Sequence, residues 1–162
     1  MKRLLLGILM ICMFAGPAKA QKVYGEIMRM SKAVANDKSK NLQTRKIATF
    51  KQDALMYMAM KARELMPDST SRMLDVQALA MYEYVDLFMK HLTMEKKKKD
   101  QEAVIDLFSQ VTLEHPRYND LDKDVTLSYY NNRGFLTRFS LDTDWVVALD
   151  DIKRILVELK KL

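Results

Sequence analysis

Residue types that commonly support disulfides, metal sites and catalysis are scarce in this chain of 162 residues, which has one cysteine and two histidines. The cysteine, Cys12, lies in an N-terminal apolar run, so the rest of the chain forms no disulfide. Its stability therefore has to come from a hydrophobic core. Residues 21–162 are long enough for one domain with such a core and too short for two comfortable ones.

The two histidines offer little chemistry in sequence. His91 and His115 each lie near the end of a predicted helix, where a histidine commonly interacts with the helix dipole. A nucleophile would have to be Ser, Thr or Lys, and the chain has no strand-turn-helix elbow of the G-x-S-x-G type. We therefore predict no catalytic residue and no cofactor. A hydrolytic enzyme of an unrecognised type stays an alternative, because folding can bring Asp, Ser, Tyr and His side chains into one pocket.

The segment NDLDKDVT spaces three aspartates, Asp120, Asp122 and Asp124, like the opening of a calcium loop. A calcium loop needs glycine at its sixth position and a glutamate at its end. Val125 and Asn131 occupy those positions here. The segment is therefore interpreted as a solvated loop or helix cap, and no metal is predicted.

The N-terminus is typical of a cleavable secretory signal. A basic start, MKR, precedes the apolar run LLLGILMICMF, and AGPAKA then offers a small-x-small cleavage site. The apolar run is far short of the roughly 20 residues that cross a bilayer, and no later stretch comes close. The sequence thus predicts a signal peptide over 1–20, cleavage after Ala20, export to the periplasm or the medium of a bacterium, and no transmembrane segment in the mature chain.

Charge is unevenly distributed along the chain. The formal net charge of +6 falls to +3 when Lys2, Arg3 and Lys19 leave with the signal. Residues 21–66 hold ten Lys/Arg against four Asp/Glu, whereas 67–95 hold two against five. A basic face can attract an acidic partner, although a solvated face is the commoner explanation. Because no aromatic residues interleave a basic stripe, we expect no nucleic-acid partner.

Hydrophobic periodicity predicts a mainly α fold for the single mature domain, residues 21–162, with about four to five helices packed as a bundle. The predicted helices cover residues 22–35, about 44–66, about 70–94, about 100–114 and the C-terminal amphipathic segment. Pro67 should end the second helix, and Asp68, Ser69 or Ser71 should cap the third. Asp100 and Asp142 are the expected N-caps of the fourth and last helices.

One segment looks different. Residues 125–139 are rich in Val, Thr, Tyr and Phe and carry Asn132-Arg133-Gly134 at their centre. A type I turn followed by a left-handed glycine there predicts a β-hairpin and makes the fold α+β. The alternative is a helix, but two asparagines and a glycine in its middle disfavour it by roughly 2 kcal/mol relative to alanines.

Methionine is abundant, with thirteen in the whole chain. In M-x-M-x-M at 56–60, Met58 falls on the apolar face of the helix, whereas Met56 and Met60 project roughly opposite. Two thioethers without a nearby histidine or cysteine make a weak soft-metal site, and methionine packs well in irregular gaps. Tyr82 and Met89 lie on a similar second stripe of the next helix.

These patterns lead to one functional hypothesis and, besides the hydrolytic enzyme, one further alternative. The chain is interpreted as a small exported, non-catalytic protein that binds an unknown protein or cell-envelope component through a helical face formed by Met56, Met60, Tyr82 and Met89, with the basic early helices contributing. The alternative is a carrier that holds a small amphiphilic ligand in an interhelical groove.

Overall fold

The computed structural model describes residues 22–67 and 71–159, which form five long helices and one short one and contain no strand. The predicted signal at 1–20 and the predicted caps Asp68 and Ser69 lie outside these residues. The helices are α1 (Lys22–Asn36), α2 (Leu42–Leu65), α3 (Ser71–Met94), α4 (Lys98–Glu114), α5 (Lys123–Thr126) and α6 (Trp145–Glu158). The mainly α prediction is therefore confirmed. No helix in the described parts of the chain is both long and apolar enough to span a membrane.

The long helices begin and end close to the predicted positions. At the start of α2, the side chain of Asn41 accepts a hydrogen bond from the backbone N–H of Thr44, which supplies a partner for one of the free amides. α2 ends at Leu65, just before Pro67, whose ring cannot continue a helix. Two predicted caps are wrong: Lys97 rather than Asp100 is the N-cap of α4, and Asp144 rather than Asp142 is the N-cap of α6.

The predicted β-hairpin at 125–139 is wrong. Residues 123–126 form the short helix α5, and the following residues make local turns, such as Asn131 N–H to Leu127 C=O, instead of cross-strand pairs. Asp122 favours the helical start because its carboxylate accepts from the Val125 N–H. Gly134 does not adopt the left-handed conformation that the hairpin loop required. The alternative of one long helix here is also wrong, because helix ends at Thr126.

Helix α3 is the centre of the bundle and packs against α1, α2, α4 and α6. α2 runs antiparallel to both of its neighbours in sequence. Near one end of the bundle, Arg45 donates to the Ala35 carbonyl of α1, and further along α2 Lys51 pairs with Asp86 of α3. α6 runs parallel to α3, because the Trp145 N–H donates to Gln77 near the start of both helices and Lys153 pairs with Glu83 further along both.

The core is built around aromatic side chains that are fully enclosed. They come from four of the long helices and from the loop between α5 and α6: Phe50, Tyr84, Phe88, Phe108, Phe139 and Trp145. Most of these rings meet edge to face, the favoured geometry for aromatic pairs. Phe139 contacts Phe50, Tyr84, Phe88 and Trp145. Burial of this ring holds the segment before α6 against the helices.

Candidate functional site

The outer side of α2 carries two exposed methionines one helical turn apart. Met56 is 60% exposed and Met60 is 52% exposed, whereas Met58 between them is buried in the core. At about 100° per residue, positions four apart lie on the same side of a helix, and the position between them lies on the opposite side. Arg63, which is also exposed, lies on the same side, one turn after Met60. We call Met56, Met60 and Arg63 the α2 methionine face.

Tyr82 and Met89, the other two residues of the predicted surface, are partly buried and pack against the core. Both lie on the side of α3 that faces α1 and α2. On this side the ammonium group of Lys51 stands 3.9 Å from the centre of the Tyr82 ring and forms an ion pair with Asp86. Burial lowers the pKa of Lys51, and the neighbouring Asp86 opposes that effect only in part.

The two halves of the predicted surface do not meet. Met56 and Met60 project about 140° and 180° away from Lys51 around α2, whereas Lys51 points to Tyr82. Helix α1 covers the groove between α2 and α3: the hydroxyl of Tyr24 donates to the Leu55 carbonyl, and its backbone N–H donates to Asp75. Tyr82 and Met89 therefore pack against the core, and the exposed part of the prediction is the α2 methionine face.

A polar cluster joins α2 to the loop after α4. The Asp120 carboxylate accepts from the hydroxyl of Tyr57 at 2.9 Å and pairs with the ammonium of Lys61 at 3.0 Å. Burial raises the pKa of Asp120, but hydrogen bonds from the Asp122 N–H, Lys61 and Tyr57 outweigh it and lower the pKa overall. Burial and the adjacent Asp120 raise the pKa of Tyr57, which keeps its phenol neutral.

Asp142 organises the same loop from its other side. Its buried carboxylate accepts three backbone N–H bonds, from Arg117 at 3.1 Å, from Tyr118 at 2.8 Å and from Asp120 at 2.8 Å. A carboxylate that gathers three amides fixes the path of the loop around itself. The aspartates at 120 and 122 thus support the loop and cap α5, in agreement with their interpretation as a loop or cap.

Asp144 connects the start of α6 to two other elements. Its carboxylate caps Val147, accepts from the amide of Gln77 on α3 at 2.8 Å and pairs with Arg117 at 2.5 Å. Burial raises the pKa of Asp144, but the bonds from Gln77, Val147 and Arg117 lower it overall. Sequence reasoning missed this connection. The available signal was Gln77, a polar residue on the buried side of an otherwise apolar helix face.

His115 lies beside two carboxylates at the end of α4. Its Nε2 is 3.0 Å from Oδ2 of Asp151 on α6, and one oxygen of Glu114 completes a group whose atoms lie within 4.8 Å of one another. The hydrogen bond from His115 lowers the pKa of Asp151, burial opposes it, and Arg154 lowers it further. Arg154 already pairs with Asp151, so a cation would have to compete with it. The arrangement holds α4 against α6.

Two clefts lie where the long loop crosses α4. A cleft of about 330 Å³ is bordered by α4 and residues 130–138, and the hydroxyl of Ser109 on its wall has no hydrogen-bond partner among the described residues. Arg138, whose half-buried guanidinium also lines this cleft, already pairs with Glu102 at 2.6 Å. A second cleft of about 210 Å³ lies between Leu113 and Leu127. Neither cleft is a groove between two long helices, so the carrier alternative finds no support there.

Comparison with known proteins gives no family for this chain. No family model, no curated protein and no solved structure matches it.

Proposed function

We propose that the protein is exported and acts without catalysis, by binding a protein partner through the α2 methionine face. The observation that carries the proposal is the exposure of Met56 and Met60 on one side of a helix whose other side fills the core. Export rests on the basic, apolar and small-x-small pattern of residues 1–20.

The exposed methionines are not needed to complete the core. Met58 and Met81 are already enclosed there, at 1% and 0% exposure. Methionine and arginine are both enriched at protein interfaces, and the flexible thioether adapts to an irregular apolar partner. Arg63 adds a cation beside the two thioethers, so the partner surface that fits best is an apolar ridge or groove with an acidic residue at its edge.

Affinity capture with matched variants tests the proposal. The double substitution Met56→Glu and Met60→Glu places two charges on the α2 methionine face, while Met94→Glu changes an equally exposed methionine on α3. Protein purified after secretion serves as bait against a membrane-free envelope extract. The same proteins should be enriched by the wild type and by the Met94 variant and lost with the double variant.

Two results would contradict the proposal. Equal enrichment by the wild type and the double variant would show that the α2 methionine face does not bind, and loss with the Met94 variant as well would show only non-specific attraction. Export is tested separately by measuring the intact mass of the secreted protein, which should correspond to a chain that begins at Gln21. Recovery of the full-length chain from the cytoplasm alone would contradict it.

A further inference from the structure

The turn between α1 and α2 and the turn between α3 and α4 lie at the same end of the bundle, although they are far apart in sequence. α1 and α2 meet there through residues 37–41, since Arg45 of α2 contacts Ala35 of α1. Because α2 and α3 are antiparallel and equally long, the turn between α3 and α4 lies at the same end. The C-terminal half of α6 also points this way, as Lys153 pairs with Glu83 further along α3.

Both turns are rich in lysine. Six lysines there are exposed, and none of them forms an ion pair with the described part of the chain: Lys38, Lys40, Lys96, Lys97, Lys98 and Lys99. The acidic residues of the same turns are Asp37, Glu95 and Asp100. Asp37 is bound by the N–H and hydroxyl of Ser39. We call the six lysines the basic end.

The lysines at the start of α4 work against the stability of that helix. The first turn of a helix carries the positive end of the dipole and favours acidic residues, and its N-cap favours Ser, Thr, Asp or Asn. Here the N-cap is Lys97, which makes no capping bond through its side chain, and Lys98 and Lys99 follow it. Local choices that oppose folding are expected where a surface serves binding.

Apolar side chains project beside the lysines. Leu42 at the start of α2 is 61% exposed and Met94 at the end of α3 is 62% exposed, among the most exposed large apolar residues of the described chain. Nucleic-acid surfaces combine lysine with aromatic stacking platforms, and neither turn contains an aromatic residue. Lysine ammonium groups around protruding aliphatic side chains match a phospholipid surface, which offers phosphates outside and acyl chains beneath.

We propose that the basic end docks on an anionic phospholipid surface, with the lysines at the headgroup phosphates and Leu42 and Met94 entering the boundary with the acyl chains. This surface is separate from the α2 methionine face, and the inference stands without the proposed protein partner. Each lysine held near an anionic bilayer strengthens binding by about fivefold, and salt weakens the attraction.

Vesicle co-sedimentation with charge-matched variants tests this proposal. The probe is a phosphatidylcholine vesicle with about 30% phosphatidylglycerol, compared with pure phosphatidylcholine. The first variant replaces all four of Lys96–Lys99 with glutamine. The control replaces four exposed cations that form no ion pair with the described residues and lie away from the basic end: Lys22, Arg29, Arg72 and Lys123. Every protein has the same N-terminus, so any contribution from residues 1–21 is common to all.

The wild type and the control should bind the anionic vesicles, more weakly as salt is raised, and the Lys96–Lys99 variant should bind more than about twentyfold more weakly. The pair Leu42→Gln and Met94→Gln should also lose affinity with all lysines present, and vesicles should protect Met94 of the wild type from peroxide. Equal weakening in the control, equal binding to neutral vesicles, or binding to single-stranded RNA without binding to vesicles would overturn the proposal.

Discussion

Three aspartates in the loop between α4 and α6 serve three different purposes. The Asp120 carboxylate binds a phenol and an ammonium group of α2. The Asp142 carboxylate accepts hydrogen bonds from three backbone amides. The Asp144 carboxylate binds Gln77, Arg117 and the first turn of α6. Each carboxylate therefore ties the loop to a different part of the bundle. Because the loop passes over α2, α4 and α6, these bonds help to set how the helices are held together.

Removal of the Asp142 carboxylate should destabilise the fold strongly. Asp142→Ala leaves the amides of Arg117, Tyr118 and Asp120 without their acceptor in a buried place, and we expect the free energy of unfolding to fall by about 3 kcal/mol. Urea denaturation measures it. Asp124→Ala is the control, since Asp124 is exposed and accepts no hydrogen bond from the described residues, and its effect should stay within about 0.5 kcal/mol.

Stability should fall in acid because the pKa values of Asp120, Asp144 and Asp151 are lowered in the folded state from 3.8. Such groups contribute stability above pH 3.8, and this contribution is lost as the pH falls through their folded pKa values. Asp144→Asn keeps an N-cap residue of similar quality while removing the charge. Urea unfolding between pH 7 and pH 2 should show that the free energy of unfolding falls less with acid in this variant than in the wild type. An equal fall in both proteins would contradict the lowered pKa of Asp144.

At the residue scale, the sequence indicated that aspartates in this loop have structural roles, but not which groups each carboxylate binds. Periodicity and capping rules placed an acidic cap near the start of α6, two residues too early. The choice between Asp142 and Asp144 depends on Gln77 and Arg117, which are 67 and 27 residues away from Asp144 along the chain. Local patterns carry no information about such partners.

The start of α4 gives a prediction at the scale of one element. Lys97 has the extended backbone of an N-cap, with φ −91° and ψ 134°, yet forms no capping bond through its side chain. Lys97→Asp should add that bond and a favourable interaction with the helix dipole, which raises the free energy of unfolding by about 1 kcal/mol. Thermal unfolding or urea titration measures the gain.

Lys38→Asp is the matched control for the Lys97 substitution, because it makes the same charge change in a turn but not at an N-cap position, which Asn41 occupies there. It should leave stability nearly unchanged. If Lys97→Asp gives no more stability than Lys38→Asp, α4 does not start where the structure places it. Both variants should weaken vesicle binding if the basic end docks on anionic lipid.

The type of element could be predicted where an amphipathic pattern extends over several turns. Where the pattern is short, the prediction was wrong. The four helices between residues 22 and 114 follow the sequence within a few residues, since each repeats its apolar positions over several turns. Residues 125–139 have strand-like composition, but strands need partners for their backbone groups. Here Asp122 starts a helical turn, and Phe139 is taken into the core instead.

At the scale of the molecule, the loop residue Phe139 brings the segment before α6 into the same aromatic core as three of the long helices. Its enclosed ring touches aromatic rings from α2, α3 and α6. Phe139→Ala should lower the free energy of unfolding by about 4 kcal/mol through lost burial and an unfilled cavity. Phe135→Ala, at a half-buried ring in the same segment, should cost clearly less. Chemical denaturation of both variants compares them, and equal losses would contradict the loop's role in the core.

The arrangement of the helices was less predictable than their existence. The second stripe on α3 packs against the core through Tyr82 and Met89, whereas the second stripe on α2 stays exposed. Sequence did not indicate that α1 packs across α2 and α3. The face that stays open holds Met56 and Met60. The difference arises from the packing of α1, which depends on contacts such as Tyr24 to Asp75, 51 residues apart.

The most direct test of the α2 methionine face is peroxide footprinting of the secreted protein, with oxidation at each methionine read by mass spectrometry. In the purified protein, Met56, Met60 and Met94 should oxidise rapidly while Met58 and Met81 stay protected. Addition of a membrane-free envelope extract should then protect Met56 and Met60 and leave Met94 reactive. Slow oxidation of Met56 and Met60 in the purified protein, or no added protection in the extract, would contradict a partner-binding surface on α2.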